Sequence, residues 1–222
     1  LESLAPEGAF MRSGFPVLRL IGGAEDVARG EEELLACVGK ASGVATAASK
    51  LLAQVNGKVR IVCGAWKKVA PDLRKDLRHA IAVGGAGIRL LDRPFVYLDK
   101  NYVRMFGSVK SAVERARGID GHTVAVQIRG DTNLISEEAD QALNAGAGVI
   151  MVDTGNIDDL RIVVEIVGRK GFRNYVKIAF AGGVDSSSLE DVATAGADIV
   201  EVGRAIIDAS ILDFRFDVVG RV

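Results

Sequence analysis

Asn144-Ala-Gly-Ala-Gly-Val-Ile-Met-Val-Asp153 and Thr194-Ala-Gly-Ala-Asp-Ile-Val-Glu-Val-Gly203 stand fifty residues apart and read alike. In each, a helical run is closed by Ala-Gly-Ala and followed at once by a short apolar strand. Gly146 and Gly196 fall where a helix ends in a left-handed residue, a conformation glycine adopts without a Cβ clash. A recurrent unit of this kind is expected of a parallel barrel, whose successive units occupy equivalent positions. A doubly wound open sheet more often carries a GxGxxG turn after its first strand, and none follows Val62.

Working outward, the runs Val59–Val62, Phe95–Leu98, Thr123–Ile128, Val149–Val152, Val176–Phe180 and Ile199–Val202 are predicted strands. Several are apolar almost throughout, as strands covered on both faces must be. Between them the period changes to 3.6. Val109, Ala112, Val113 and Ala116 form one apolar stripe, and Leu160, Val163, Val164 and Val167 form another. Ser187 with Glu190 reads as a capping box, and Asn156 and Ser136 read as N-caps. Strands alternating with helices give right-handed βαβ units, hence an α/β class protein of barrel type. Upstream, Glu31–Val55 reads as one or two helices, and Phe15–Ile21 as a strand ending at Gly22-Gly23.

The 28 basic and 29 acidic side chains nearly cancel, which argues against nucleic acid as a partner. No run approaches the ~18 apolar residues of a membrane span, and no leader pattern opens the chain, so a cytoplasmic location is expected. Cys37 and Cys63 form no CxxC pair, and Cys63 in its apolar run reads as a buried, inert thiol. His79 and His122 have no metal-ligand spacing.

Barrel chemistry sits at the C-terminal ends of the strands. Ala181-Gly182-Gly183-Val184 follows the fifth strand and Gly203-Arg204 the sixth, each before a helical run. Glycines admit a ligand close to the backbone, and first-turn helix amides point at it, so Gly182, Gly183 and Gly203 are candidate phosphate binders. Asp153 ends the fourth strand, where it faces a ribose, a cation or a developing positive charge, or else caps the next helix. Lys67 and Lys68 follow the first strand. Arg89, Asp99 and Lys100 flank strand ends, and Arg129 and Asp131 follow the third strand.

These residues, in this order, resemble the nicotinate-nucleotide pyrophosphorylase (quinolinate phosphoribosyltransferase) family, including its ModD-type paralogue. Ala41-Ser-Gly-Val-Ala-Thr46 is similar to the family's S-G-I/V-A-T, and Lys67-Lys-Val-Ala-Pro-Asp-Leu-Arg74 to R-K-T-T-P-G-L-R. Ala82-Val-Gly-Gly-Ala86 is similar to its glycine-rich turn, Leu98-Asp-Lys-Asn-Tyr102 to I-K-D-N-H, and Ile150-Met-Val-Asp153 to I-M-L-D. Ala181-Gly-Gly-Val184, Val202-Gly203 and Asp208–Phe214 are similar to S-G-G-I/V, S-V-G-A and the terminal S-A-x-x-L-D-x. The resemblance covers about Phe15 to the C-terminus. It implies a barrel of about six or seven parallel strands over 31–222, with 1–30 as a remnant of the family's N-terminal domain. It also implies a homo-oligomer, dimer or hexamer, and transfer from phosphoribosyl pyrophosphate, with Mg2+, to a pyridine carboxylate or related acceptor. Lys68 and Asp153 take the catalytic positions. Lys40, Lys67, Arg89 and Lys100 take substrate positions, with a small phosphorylated metabolite as the partner.

The departures from the family pattern are specific. An arginine that reaches a neighbouring subunit's site is Lys40 here, the R-K pair is Lys67-Lys68, and an H-R pair is reduced to Arg89. The K-D order is inverted to Asp99-Lys100, two glutamates of a V-E-V-E strand are Ala125 and Gln127, and a serine is Ala181. Two other readings therefore stand beside the transferase: a paralogue that binds a phosphorylated metabolite, and a structural partner subunit.

Overall fold

The computed structural model describes residues 1–221. Among these described residues, eight strands and eight α-helices follow one another. A small antiparallel ribbon, β1 (Glu2–Ser3) with β2 (Leu18–Arg19), precedes the long helix α1 (Ala24–Val55). Then come β3 (Arg60–Val62), two 3-10 turns at Ala65–Lys68 and Pro71–Leu73, and α2 (Arg74–Val83). The barrel continues with β4 (Phe95–Leu98), α3 (Lys100–Phe106), α4 (Val109–Ala116), β5 (Thr123–Ile128) and α5 (Ile135–Ala145). It ends with β6 (Val149–Asp153), α6 (Ile157–Arg169), β7 (Lys177–Ala181), α7 (Leu189–Thr194), β8 (Ile199–Glu201) and α8 (Arg204–Ile207).

Strands β3 to β8 form one parallel sheet in the order β3-β8-β7-β6-β5-β4, so the first strand pairs with the last. Val62 of β3 and Phe95 and Tyr97 of β4, on the two free edges, pack into one apolar cluster with Ala125, Met151, Ala179 and Ile199. Edges that share a core must face each other, so the sheet curls into a barrel with a seam between β3 and β4. Leu90 and Leu91 fill that seam, and a single parallel bridge from Val62 to Gly87 is all there is of a seventh strand.

Strand alternation sorts the residues. Val149, Met151 and Asp153 point inward, while Ile150 and Val152 join the outer core beneath the helices. That outer core holds the fully buried Ile178, Phe180 and Leu189, each worth about 1.5–3 kcal/mol of apolar burial. The anticipated stripes on α4 and α6 face this layer.

Several expectations change. Phe15–Ile21 is no barrel strand; only Leu18–Arg19 pairs, with the N-terminal ribbon outside the barrel. The upstream helical region is one helix, beginning at Ala24. Ser136 does not cap α5, which starts one residue earlier, after Leu134. The Ser187 capping box does not form either: α7 opens at Leu189 after Ser188, and the Ser187 hydroxyl donates to Asp185 at 2.6 Å. Asp185 instead makes an Asx turn, accepting from the amides of Ser187 and Ser188 at 2.9 and 3.2 Å. Asn156 does cap α6, accepting from the Asp158 amide at 3.0 Å.

The S-G-V-A-T stretch lies within α1 and receives the C-terminal tail. A Cβ at Gly43 would lie 2.1 Å from the Ser210 carbonyl oxygen, so only glycine lets the tail run this close. Leu212 donates to the Gly39 carbonyl at 3.1 Å on the same face. No described helix is long and apolar enough to cross a membrane.

Candidate functional site

Parallel register carries four polar side chains to the C-terminal mouth of the barrel. Gln127 and Arg129 come from the end of β5, Asp153 from β6, and Glu201 from β8. Gln127 bridges two elements: its Oε1 accepts from the Lys100 amide at 2.7 Å, and its Nε2 donates to Asp153. Arg129 Nη1 donates to the same Asp153 oxygen at 2.9 Å, with side chains about one-third and one-quarter exposed. Asp153 is therefore a held carboxylate, an ion-pair partner at the rim, and does not serve as a helix cap.

Glu138 sets the position of Arg129. This carboxylate is buried and accepts from the amides of Arg129, Gly130 and Thr132 at 2.8–2.9 Å, and from the Thr132 hydroxyl at 2.7 Å. Burial pushes its pKa up, but the Thr132 hydroxyl and the three amides outweigh burial and hold it below the usual carboxylate range. The loop after β5 is thus wrapped around one anion. Asp131, in that loop, pairs with Arg104 at 2.8 Å and lies 3.7 Å from Arg129.

On the opposite wall, Glu201 lies against the turn that opens the Ala65–Lys68 segment. A Cβ on Gly64 would sit 2.8 Å from its Oε1. Burial raises the Glu201 pKa and Asp153 adds to it, while Lys67, the Gly64 amide and Lys68 pull the other way. Tyr97, inward on β4, has its phenol raised by burial and by the nearby acids Glu201, Asp153 and Asp99. Cys63 is buried, and desolvation pushes its thiol up to about 11, which makes it the inert side chain anticipated.

The glycine turn after β7 meets the loop after β6. The Gly155 amide donates to the Ala181 carbonyl at 3.1 Å, and a Cβ on Gly182 would lie 2.3 Å from the Gly155 nitrogen. Gly182 has φ +116° and Gly183 φ +87°, both in the region that favours glycine. Beside Gly183 the space is open. A cavity of about 250 Å³ lies here, lined by Gly155, Gly182, Gly183, Asp185 and Ser188. Gly203 is not in that lining; its carbonyl starts α8, which is a single turn. Helix-end amides contribute little, since α7 and α8 are short and the Ser187 and Ser188 amides are held by Asp185. Any anion is met by loop backbone instead.

The structure thus gathers Asp153, Lys67 and Lys68 at one mouth, beside Gly182 and Gly183. Lys100 reaches the same rim through its backbone. It does not bring Lys40 there: that ammonium donates to the Ala209 carbonyl at 2.7 Å and ties the tail to α1. Arg89 lies exposed on the seam segment, 5.7 Å from the Phe95 ring centre, outside the Asp153 cluster. Glu201, Tyr97 and Glu138 are additions that motif reading missed. For Glu201 a signal existed: it is an acid in an apolar strand, on the same alternation as Ile199 and Gly203.

A sequence profile described as the C-terminal domain of quinolinate phosphoribosyl transferase matches residues 44–217. The chain belongs to this family. A probable nicotinate-nucleotide pyrophosphorylase [carboxylating] of Methanothermobacter thermautotrophicus is 27% identical over 220 residues, 96% of this chain and 76% of that one. The nicotinate-nucleotide pyrophosphorylase [carboxylating] of Rattus norvegicus is 29% identical over 95% of this chain and 70% of its own length. Among solved structures, NadC from Streptococcus pyogenes superposes with a TM-score of 0.79 at 22% identity, covering 95% of this chain and 71% of that one. The corresponding pyrophosphorylase of Francisella tularensis gives the same TM-score at 24% identity, with 96% and 72% covered. These two likenesses confirm the family fold, the barrel anticipated from the repeated helix-end motif.

Proposed function

We propose that this protein is a phosphoribosyltransferase of the quinolinate phosphoribosyltransferase type, acting on phosphoribosyl pyrophosphate and a pyridine carboxylate or related acceptor. The observation that carries this is the held Asp153 carboxylate at the barrel mouth, next to the open Gly182-Gly183 turn. The ring nitrogen of the acceptor forms a bond to the anomeric carbon. The bond from that carbon to pyrophosphate breaks, and pyrophosphate leaves with its electron pair. Asp153 faces the positive charge that develops on the sugar, and preorganisation by Gln127 and Arg129 keeps it there without rearrangement. Lys68 and Lys67 stabilise the departing pyrophosphate and the acceptor's carboxylate. The backbone at Gly182 and Gly183 receives the sugar phosphate, with Gly203 at the next strand end outside that cavity.

Magnesium belongs to the substrate in this scheme. Among the described residues no group of three or more His, Cys, Asp or Glu side chains can hold a metal. Magnesium that keeps most of its waters and rides on phosphates needs only one or two carboxylates, which suits a mouth with Asp153 and Glu201. Lys40, tethered on α1, fits a role at a contact between subunits. Exposed Phe15, Ile21, Ile211 and Val219 on the terminal segments support a homo-oligomer, dimer or hexamer. A cytoplasmic enzyme with a small phosphorylated metabolite as its partner is the setting we propose.

The test is pyrophosphate release from phosphoribosyl pyrophosphate with magnesium and a panel of pyridine carboxylates, beside calorimetric titration of phosphoribosyl pyrophosphate. Binding with turnover supports the transferase. Binding without turnover of any acceptor replaces it with the metabolite-binding paralogue, and no binding of any sugar phosphate overturns both.

A further inference from the structure

Glu201 places a carboxylate against the turn that carries Lys67 and Lys68, the two lysines to which the transferase reading gives the acceptor's carboxylate. Its carboxylate lies against Gly64, at the head of the turn that carries Lys67 and Lys68, and it feels both ammonium groups as well as Asp153. Arg129, the next cation at the mouth, is already paired with Asp153 at 2.9 Å and lies 3.7 Å from Asp131. Of the cations Lys67, Lys68 and Arg129, Arg129 is therefore matched by Asp153, while Glu201 lies against the turn that carries the two lysines and offsets one of their charges. A single unit of positive charge is left on that wall. One acceptor carboxylate can be met there. A second would face Glu201 at short range, in a partly buried setting where charges are weakly screened.

We propose that Glu201 is a specificity-determining residue that limits the acceptor to a nitrogen heterocycle with one carboxylate, favouring a nicotinate-like ring over a dicarboxylate such as quinolinate. This rests on the phosphoribosyltransferase reading above. Gln127 contributes to the same end: its neutral amide fills the place opposite Asp153 and is used up by the Lys100 amide and Asp153 itself. With a monocarboxylate, the reaction ends when the ring nitrogen has bonded to the anomeric carbon and pyrophosphate has left. No carbon dioxide is released.

The experiment compares kcat/KM for nicotinate and quinolinate, with phosphoribosyl pyrophosphate and magnesium, in the wild type, Glu201→Gln and Glu201→Ser. The wild type is expected to prefer nicotinate by about tenfold or more, and both variants to raise the quinolinate value by about tenfold or more. A wild type that prefers quinolinate, or a preference unmoved in both variants, overturns the role of Glu201. Calorimetric titration of quinolinate alone gives a readout without turnover. Tighter binding to Glu201→Gln, by about tenfold, supports exclusion by charge, and equal affinities overturn it. Phosphoribosyl pyrophosphate titrated into the wild type separates the two readings. Binding with the wrong acceptor preference removes the role of Glu201 alone, whereas absence of binding removes the transferase reading on which it rests.

Discussion

Arg129 and Asp153 hold each other across the gap between neighbouring strands, guanidinium nitrogen to carboxylate oxygen at 2.9 Å, at the mouth of the barrel. The side chains are about one-third and one-quarter exposed, so the value of the pair lies in aim more than in stability. Asp153→Asn keeps the shape and removes the charge that faces the sugar. Pyrophosphate release should fall about 100-fold, with the affinity for phosphoribosyl pyrophosphate nearly unchanged. Steady-state kinetics beside calorimetry separates the two; equal loss in both would make Asp153 a binding group only.

Glu138 is expected to hold the loop from Arg129 to Asn133 in place. Glu138→Ala leaves three backbone amides and a hydroxyl without their acceptor and should cost about 3 kcal/mol or more. Since its folded-state pKa is depressed, the unfolded chain takes up the proton first as pH falls. The stability it provides is full above the ordinary carboxylate pKa of about 4.3 and lost below it. Melting temperatures between pH 7 and pH 3 should therefore fall more steeply in the wild type than in Glu138→Gln.

Gly182 and Gly183 are adjacent, yet the two should respond differently to alanine. At Gly182 the new Cβ would meet the Gly155 nitrogen at 2.3 Å, so Gly182→Ala must push two loops apart and should cost more than about 3 kcal/mol. At Gly183 nothing lies within 4 Å, and only the positive φ is strained, at about 1–2 kcal/mol. Gly183→Ala should fold and lose affinity for ribose 5-phosphate. Denaturant melts and a ligand titration on both variants check the contrast.

Glu201 runs opposite to Glu138 in its pH dependence. Burial raises its folded-state pKa, so the protonated form is the better fit to the fold. The stability linked to it is present at acid pH and lost as pH rises through the folded pKa. Glu201→Gln should raise the melting temperature at pH 7.5 and give no gain at pH 4. A variant less stable than the wild type at pH 7.5 would mean that Lys67 and Lys68 more than offset burial.

Elements with a strong local signal were readable in the chain. The strand cores came out within about a residue of their observed ends, because an apolar run between helices has few alternatives. The Asn156 cap was readable because an asparagine before an apolar-periodic run acts within its own turn. The caps at Ser136 and Ser187 were not, since α5 already opens after Leu134 and α7 opens only after Ser188, and residue type alone does not say in which turn a helix starts. The Phe15–Ile21 run lacked a neighbour to pair with in the barrel, and strand pairing depends on a partner as well as on propensity.

The sequence by itself determined a parallel barrel, the family it resembles, and the turns Gly182-Gly183 and Gly203, since period, glycine placement and motif order are local properties. Tertiary structure alone decided which charges share the mouth. It put Glu201 against the lysine turn, paired Arg129 with Asp153, and drew Lys40 away to Ala209. The reason is physical: whether a charge meets substrate or another side chain depends on distances across strands far apart in sequence. Those distances are set by the closure and register of the whole sheet.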